Sequence, residues 1–246
     1  MSSADSHYAD QAPHAALSGS SQRSLGDWAA VLAFGAIQWP WLLKSLLGGG
    51  SAARIALLHK LDFSDDALPP LGSWRADAGF LDLIATHIGE QTPETVVEFG
   101  GGASTIVAAR ALQLAGTGRL FSFDSDIRFV TETAERLARL SLAGDVRLAP
   151  LAASAAWPGC WYDPELLPPS IDLLVIDGPP WALHPFTRGG ADAVFDRISP
   201  GGVVMLDDAA RLGERVVARR WRRDWPDFDF RFVPGIKGTL IGRRAG

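Results

Sequence analysis

The residues of this chain best equipped for chemistry stand where apolar runs end. In "TVVEFGGGASTIVAARAL", Thr95 to Leu112, the acid Glu98 sits near the end of one run, and Gly100, Gly101 and Gly102 follow at once. Glycine permits positive φ and close approach of the backbone to a ligand. A small-residue stretch of helical character begins at Ala103, so the free N–H groups of its first turn face the same space. A turn this tight, with a carboxylate beside it, suits a ligand with a cationic or zwitterionic end. A dinucleotide site would ask for G-x-G-x-x-G, but here Thr105 takes the place of the third glycine. No diphosphate-binding lysine follows, which excludes a P-loop.

A second run ends in Asp124, within "FSFDSD". An acid at this place in a doubly wound sheet can accept hydrogen bonds from the two ribose hydroxyls of a nucleoside. The alternative is a helix cap, for which Asp126 is the better placed residue. Two further runs end in acids: Asp177 in "VIDGPPW", and Asp207 with Asp208 in "VMLDDAAR". The thirty residues between the two strand ends suit one strand–helix–strand crossover, which makes the strands neighbours. Three converging carboxylates repel and raise one another's pKa unless a cation relieves them. Oxygen ligands at that density suit Mg²⁺, Ca²⁺ or Mn²⁺. Asp208 is equally a cap for a helix starting near Ala209. His184, on the loop after Asp177, is a candidate general base or an ordinary loop histidine.

The elements that must position these residues follow a regular order. Strand-like runs "TVVEF", "RLFSFD", "DVRLAP", "IDLLVID" and "GGVVMLDD" alternate with helical stretches over 103–114, 127–140, 186–198 and 210–224. "FDFRFV" and "GTLIGR" close the chain as an antiparallel pair. Strands apolar throughout, separated by helices, imply an α/β fold with a mostly parallel sheet covered on both faces. Ligands in such sheets sit outside the carboxyl ends of the strands. Trp157, Trp161, Tyr162 and Trp181 flank the fourth strand. Their faces could stack on a flat substrate or sugar, or simply pack the loop. Arg211, Arg215, Arg219 and Arg222 recur at near-helical spacing, a solvated face with partners such as Glu214 by default. A phosphate-bearing substrate or an anionic membrane is the lesser alternative.

Ahead of this lie residues 1–24, rich in Ser, Ala, His and Asp, expected as a disordered tail. Residues 25–70 read as an apolar helical extension and linker. Trp28 to Leu43 carries no charge, but its 16 residues fall short of the ~20 that span a bilayer, and Pro40 is expected to kink or break it. It packs on the catalytic domain, lies at a membrane surface over 28–47 with its tryptophans at headgroup depth, or, as the least favoured reading, spans the membrane. A helix over 74–88 leads into the main domain, 71–246.

"VVEFGGGAST", "FSFD", "IDLLVIDGPP" and "GGVVMLDD", in this order, resemble the successive motifs of class I S-adenosylmethionine (SAM)-dependent methyltransferases. The likeness runs from about Trp74 to Arg243 and is greatest to a bacterial subgroup with DGPP and LDD motifs. It implies a Rossmann-like doubly wound, seven-stranded sheet. It also implies that Glu98 and Gly100 to Gly102 hold the methionine end of SAM, with Ser104 nearby and Asp124 on the ribose. Asp177, Asp207 and Asp208 stand where metal-dependent O-methyltransferases of catechol or sugar type carry Mg²⁺ ligands. Where the catechol enzymes have a lysine base, this chain has Pro180.

The bulk composition fits that reading. Apolar content of 47% with 21% charged residues over 246 residues is ordinary for a globular protein. A net charge of −5 gives no reason to expect nucleic acid. Cys160 is the sole cysteine, so no internal disulfide forms. No basic stretch precedes an early apolar run, so no secretory leader is expected, and the expected place is cytoplasmic, extending to the inner membrane face. O-methylation of a hydroxylated small molecule or glycan is the leading expectation. The alternatives are an NAD-dependent oxidoreductase and a non-catalytic nucleoside-binding or membrane-associated protein.

Overall fold

The structure, a computed structural model, describes residues 25–45, 50–72 and 76–246. The tail at 1–24, residues 46–49 and the expected helix start at Trp74 lie outside them. Its centre is a seven-stranded sheet in the order β3–β2–β1–β6–β7–β9–β8. These strands are β1 (Thr95–Phe99), β2 (Arg119–Asp124), β3 (Asp145–Leu148), β6 (Ile171–Ile176), β7 (Ile198–Leu206), β8 (Phe228–Val233) and β9 (Thr239–Arg244). The first five pair in parallel, and β9 runs antiparallel between β7 and β8.

The period of two along the strands divides the core between two faces. Val96, Leu173, Val175, Val203 and Met205 point into one apolar cluster. Val97, Leu174, Ile176, Val204 and Leu206 point into the other. Helices α2 (Ser51–Lys60), α3 (Ala78–Gln91), α4 (Ala103–Ala115) and α5 (Ile127–Arg139) contribute to the first face. The second takes α6 (Leu212–Asp224) and a 3₁₀ segment, Thr187–Arg197. The sequence pattern predicts an α-helix for that segment. Its paired Gly189 and Gly190 weaken α-helix formation, and both lie against tryptophans: a Cβ at Gly189 would stand 2.3 Å from the Trp157 ring, and one at Gly190 2.7 Å from Trp161.

Local chemistry sets the element ends. Asp77 caps α3, its Oδ1 accepting from the N–H of Gly79 at 2.7 Å and of Phe80 at 3.0 Å. Asp126 caps α5 by accepting from Arg128 N–H at 2.9 Å, as expected. Ala103 to Ala109 on α4 are buried without interruption, and five of these seven are Ala, Ser or Thr, which lets the helix lie close on the sheet. Leu57, Leu58 and Leu61 on α2 and just after it, with Leu68 in the Pro-rich stretch that follows, are buried in the first-face core. Part of the extension is therefore integral to the domain's packing.

Two features differ from expectation. α1 (Leu25–Ser45) runs through Pro40 instead of breaking there. A proline ring removes one i→i−4 hydrogen bond, and tertiary packing on one side of the helix offsets this. A small antiparallel pair, β4 (Leu151–Ala153) and β5 (Cys160–Tyr162), also stands in the connection that the sequence pattern leaves as loop. Strands of three residues show too little alternation to register in a sequence. Among the described residues, no helix is long and apolar enough to cross a membrane.

Candidate functional site

The expected residues meet at the carboxyl edge of β1, β2, β6 and β7. Backbone hydrogen bonds align the strand ends: Gly100 N–H to Phe123 C=O, Asp177 N–H to Phe99 C=O, and Asp207 N–H to Ile176 C=O, at 2.9, 2.9 and 3.0 Å. Gly100 has φ +92°, and a Cβ there would lie 2.3 Å from Gly178 N. Only glycine permits both the conformation and the contact. The glycine turn and the loop carrying Asp177 therefore touch backbone to backbone. A Cβ at Gly101 would crowd the Ser122 hydroxyl at 2.8 Å, whereas one at Gly102 would meet nothing within 4 Å. Gly102 is the point where the turn opens outward.

Glu98 lies beneath this turn, 1% exposed. Its Oε2 accepts from the hydroxyls of Ser122, at 2.7 Å, and Thr105. Thr105 Oγ1 also accepts from Gly102 N–H at 2.8 Å. The acid thus fixes the turn and the start of α4 from below. Burial pushes its carboxyl up to about 7, against the hydroxyls of Ser104, Ser122 and Thr105, which pull it down. Thr105, which breaks the dinucleotide fingerprint, is one of the residues that hold the acid. Asp124 stands at the end of β2, partly open, its Oδ1 accepting from Asp126 N–H at 2.9 Å. Burial raises it to about 6, opposed by backbone N–H groups of Asp126 and Gly101.

Asp177, Asp207 and Asp208 do converge: each offers an oxygen within 4.8 Å of the others. The side chain of Asp177 is 11% exposed, against 0% and 3% for Asp207 and Asp208, so the cluster opens outward on the Asp177 side. Asp177 Oδ1, both oxygens of Asp207 and Asp208 Oδ1 accept no hydrogen bond. Four carboxylate oxygens buried together without hydrogen bonds carry a large desolvation cost. Asp208 does not cap a helix: α6 starts at Leu212, after Arg211. It adopts φ +59°, and its Oδ2 takes Arg188 and Arg211, both at 3.0 Å.

Three cations that the sequence pattern does not single out for this site surround the acids. Arg188, at the start of the 3₁₀ segment, donates to the backbone carbonyls of Pro179 (3.2 Å), Asp207 (3.1 Å) and Asp177 as well as to Asp208. It ties the β6 and β7 ends together. Lys237, from the β8–β9 turn, places Nζ 3.9 Å from Asp207 and 3.8 Å from Asp208. The backbone holds that turn in place, Ala210 N–H donating to Lys237 C=O at 3.0 Å. One available signal is that Lys237 is the only lysine after Lys60 in a chain that otherwise uses arginine. Burial pushes Asp208 up, but Arg211, Lys237 and Arg188 hold it down to about 2. Asp207 stands well above the usual carboxylate range through burial and the charges of Asp208 and Asp177. Burial also raises Asp177, with Arg188 and Lys237 opposing.

Several sequence expectations are redirected. His184 is buried, and its Nδ1 accepts from Phe186 N–H at 3.2 Å. Its Nε2 faces Asp27 of α1 at 3.9 Å. These contacts tie the ring to its own loop and to α1, as the reading of an ordinary loop histidine has it. Trp157, Trp161 and Tyr162 are buried in the second core, with Tyr162 stacked on Phe99 at 5.3 Å. They pack the loop and offer no open platform. Glu214 and Arg211, expected on a solvated face, are both buried, because the turn before α6 rotates them toward the cluster.

Two surface clefts, of about 650 and 320 Å³, lie elsewhere. Their linings, around Gly118 to Phe121 and around Pro93 and Gly201, belong to the amino ends of the strands and include none of the residues above.

Comparison with known proteins agrees with this geometry. Residues 97–209, which include Gly100 to Gly102, Asp124 and all three aspartates, match the family described as a methyltransferase domain. No curated protein matches the chain. Among solved structures, the fold is similar to the O-methyltransferase TomG of Streptomyces achromogenes, determined with SAM. The two share 18% identity over 87% of this chain and 98% of that one, with a TM-score of 0.51. An O-methyltransferase of Bacillus cereus with bound SAH is 15% identical over 87% and 99%, with a TM-score of 0.54. The SAH-bound Podospora anserina methyltransferase PaMTH1 is 13% identical over 87% and 96%, also at 0.54. Residues 97–209 thus match a methyltransferase domain, and the fold is similar to that of these SAM- and SAH-bound methyltransferases.

Proposed function

We propose that this protein transfers the methyl group of SAM to a hydroxyl of a small molecule or glycan, with one divalent cation held by Asp177, Asp207 and Asp208. The observation that carries the reading is the backbone contact between Gly100 and Gly178. It sets the turn suited to a methyl donor directly against the loop of a carboxylate cluster. Glu98 and Gly100 to Gly102, with Ser104, would receive the methionine end, and Asp124 the ribose. The four carboxylate oxygens without hydrogen bonds fit a hard cation, Mg²⁺ first among them. Bound there, such a cation supplies positive charge that lowers the pKa of a neighbouring hydroxyl.

The chain's own residues do the rest by positioning and by excluding water. The acceptor oxygen gains the methyl group and loses its proton. Asp177, the most exposed of the three, accepts that proton or its hydrogen bond and returns it to solvent. Arg188 holds the β6 and β7 ends at a fixed separation. A metal-free form of the same reaction has one observation in its favour: Arg188, Arg211 and Lys237 already bring positive charge to the aspartates.

Calorimetry with SAM and SAH, together with Mn²⁺ binding followed by electron paramagnetic resonance, tests both halves. SAM and SAH should bind, and Mn²⁺ should bind with displacement by Mg²⁺. Absence of SAM and SAH binding, or tighter binding of NADH, overturns the cofactor reading. Full activity in excess EDTA selects the metal-free form.

Asp124→Asn should weaken SAM binding by on the order of 1.5–3 kcal/mol, the value of a hydrogen bond to a charged group. The wild-type affinity should also depend on pH. Burial raises the Asp124 carboxyl to about 6, and ribose hydroxyls donate best to the ionised form. Affinity is therefore full above that value and declines as pH falls through it, whereas the Asp124→Asn variant, with no carboxyl to titrate, should lack this inflection. Calorimetric titrations from pH 5 to 8 check both.

A further inference from the structure

The three cations around the aspartates are not equivalent. Arg188 and Arg211 both meet Asp208 at Oδ2, each at 3.0 Å, and Oδ2 is not among the oxygens that lack a hydrogen bond. Lys237 addresses other atoms: its Nζ stands 3.9 Å from Asp207 Oδ2 and 3.8 Å from Asp208 Oδ1. Those two oxygens accept no hydrogen bond. Arg188 also comes within 3.8 Å of Asp177 Oδ1, but its nitrogens donate to the carbonyls of Pro179, Asp207 and Asp177 and to Asp208 Oδ2. The arginines thus hold the frame, while the lysine faces oxygens proposed to receive a divalent cation.

The backbone fixes Lys237 in that position. Its side chain is 1% exposed, so the ammonium does not reach water. Its turn is fastened to the residues after Asp208: Ala209 N–H donates to Gly238 C=O at 2.9 Å, and Ala210 N–H to Lys237 C=O at 3.0 Å. Gly238 has φ +70°, and a Cβ there would lie 2.6 Å from the Phe232 ring, so the turn asks for glycine beside the lysine. An ammonium is a compact point charge without a planar fork, which lets it serve two carboxylates at once. In a buried site such a charge acts strongly on its neighbours. Asp77 and Glu214 add negative charge around the cluster, and Lys237 offsets one unit of it at Asp207 and Asp208.

We infer that Lys237 sets how tightly this cluster holds a divalent cation: its ammonium is the counter-ion of Asp207 and Asp208 in the metal-free protein, and it opposes the metal by like charge. This rests on the reading of the three aspartates as a cation site. The test is Mn²⁺ binding to the full chain, followed by electron paramagnetic resonance, with melts in the presence and absence of Mg²⁺. Lys237→Met should bind Mn²⁺ at least roughly tenfold more tightly than the wild type, because a like charge facing the same oxygens is gone. Its melting temperature should fall without metal and gain more from Mg²⁺ than that of the wild type. Lys237→Arg, which keeps the charge, should stay near the wild-type Mn²⁺ affinity. Lys237→Gln takes the place of Lys237→Met should the latter not fold without metal. A merely structural lysine predicts the same melting loss with and without Mg²⁺ and no gain in Mn²⁺ affinity, and that result overturns the inference, as do variants that Mg²⁺ does not restore to the folded state. Equal Mn²⁺ binding by wild type and Lys237→Met overturns it while leaving the cation site standing, whereas no binding by either overturns both. Binding by Lys237→Met alone upholds it.

Discussion

Asp207→Asn is expected to lower methyl transfer by roughly 10²–10³-fold, the loss that follows removal of one preorganised electrostatic contact at a reacting centre. The fold should not suffer. Asp207 is fully buried, neither of its oxygens accepts a hydrogen bond, and its carboxyl is held well above the ordinary range. Burial and the charges of Asp208 and Asp177 disfavour its ionised form, and asparagine is a neutral group of the same shape. The melting temperature without metal should therefore stay the same or rise. The stabilisation that Mg²⁺ gives the wild type by mass action, ~2.7 kcal/mol at a hundredfold excess over the dissociation constant, should vanish. Asp177→Asn should behave similarly, with SAM binding nearly intact in both. Thermal melts with and without Mg²⁺ and a labelled-methyl assay check this pair. An active Asp207→Asn enzyme whose melting temperature still rises with Mg²⁺ would remove Asp207 from the site.

Arg188→Met should be the most damaging single change to stability. It removes the donor to three backbone carbonyls at and beside the strand ends and one partner of Asp208. Breaking a buried ion pair from one side costs about 3–5 kcal/mol, or a fall in Tm of roughly 6–20 °C for a domain of this size. Arg188→Lys keeps the charge but not the planar fork, so it should recover only part of the loss. Calorimetric melts give the answer, and a wild-type Tm for Arg188→Met would show that the strand ends need no such tie. The same ion pairs have an acid signature. Asp208 is held down to about 2 in the folded protein, so its contribution is present above its unfolded pKa near ~4. That contribution is lost as pH falls from about 4 toward 2.

What could be read from the sequence was set by local chemistry. The strand ends, the glycine turn and the three aspartates were legible because strands buried on both faces are apolar without a break, so an acid at their end stands out. The antiparallel closing pair and the Asp126 cap were legible for similar reasons. The thirty residues from Asp177 to Asp207 bring two strand ends together by one crossover, so the convergence of the acids was a matter of topology.

The tertiary structure decided what surrounds those acids. Arg188, Arg211 and Lys237 come from a 3₁₀ segment, a turn and a distant hairpin, and no periodicity marks an arginine that will be buried. His184 and the aromatic loop residues read as candidates by type alone, yet packing gave the imidazole to α1 and the rings to the core. Asp208 looked like a cap until its left-handed backbone turned it toward two arginines. On α1 the sequence showed an apolar helix without saying which side would be covered, because nearly every position is hydrophobic. Only the contact of Phe34 and Gly35 with the loop after β6 chose the inner face and left a stripe of leucine and tryptophan in the open.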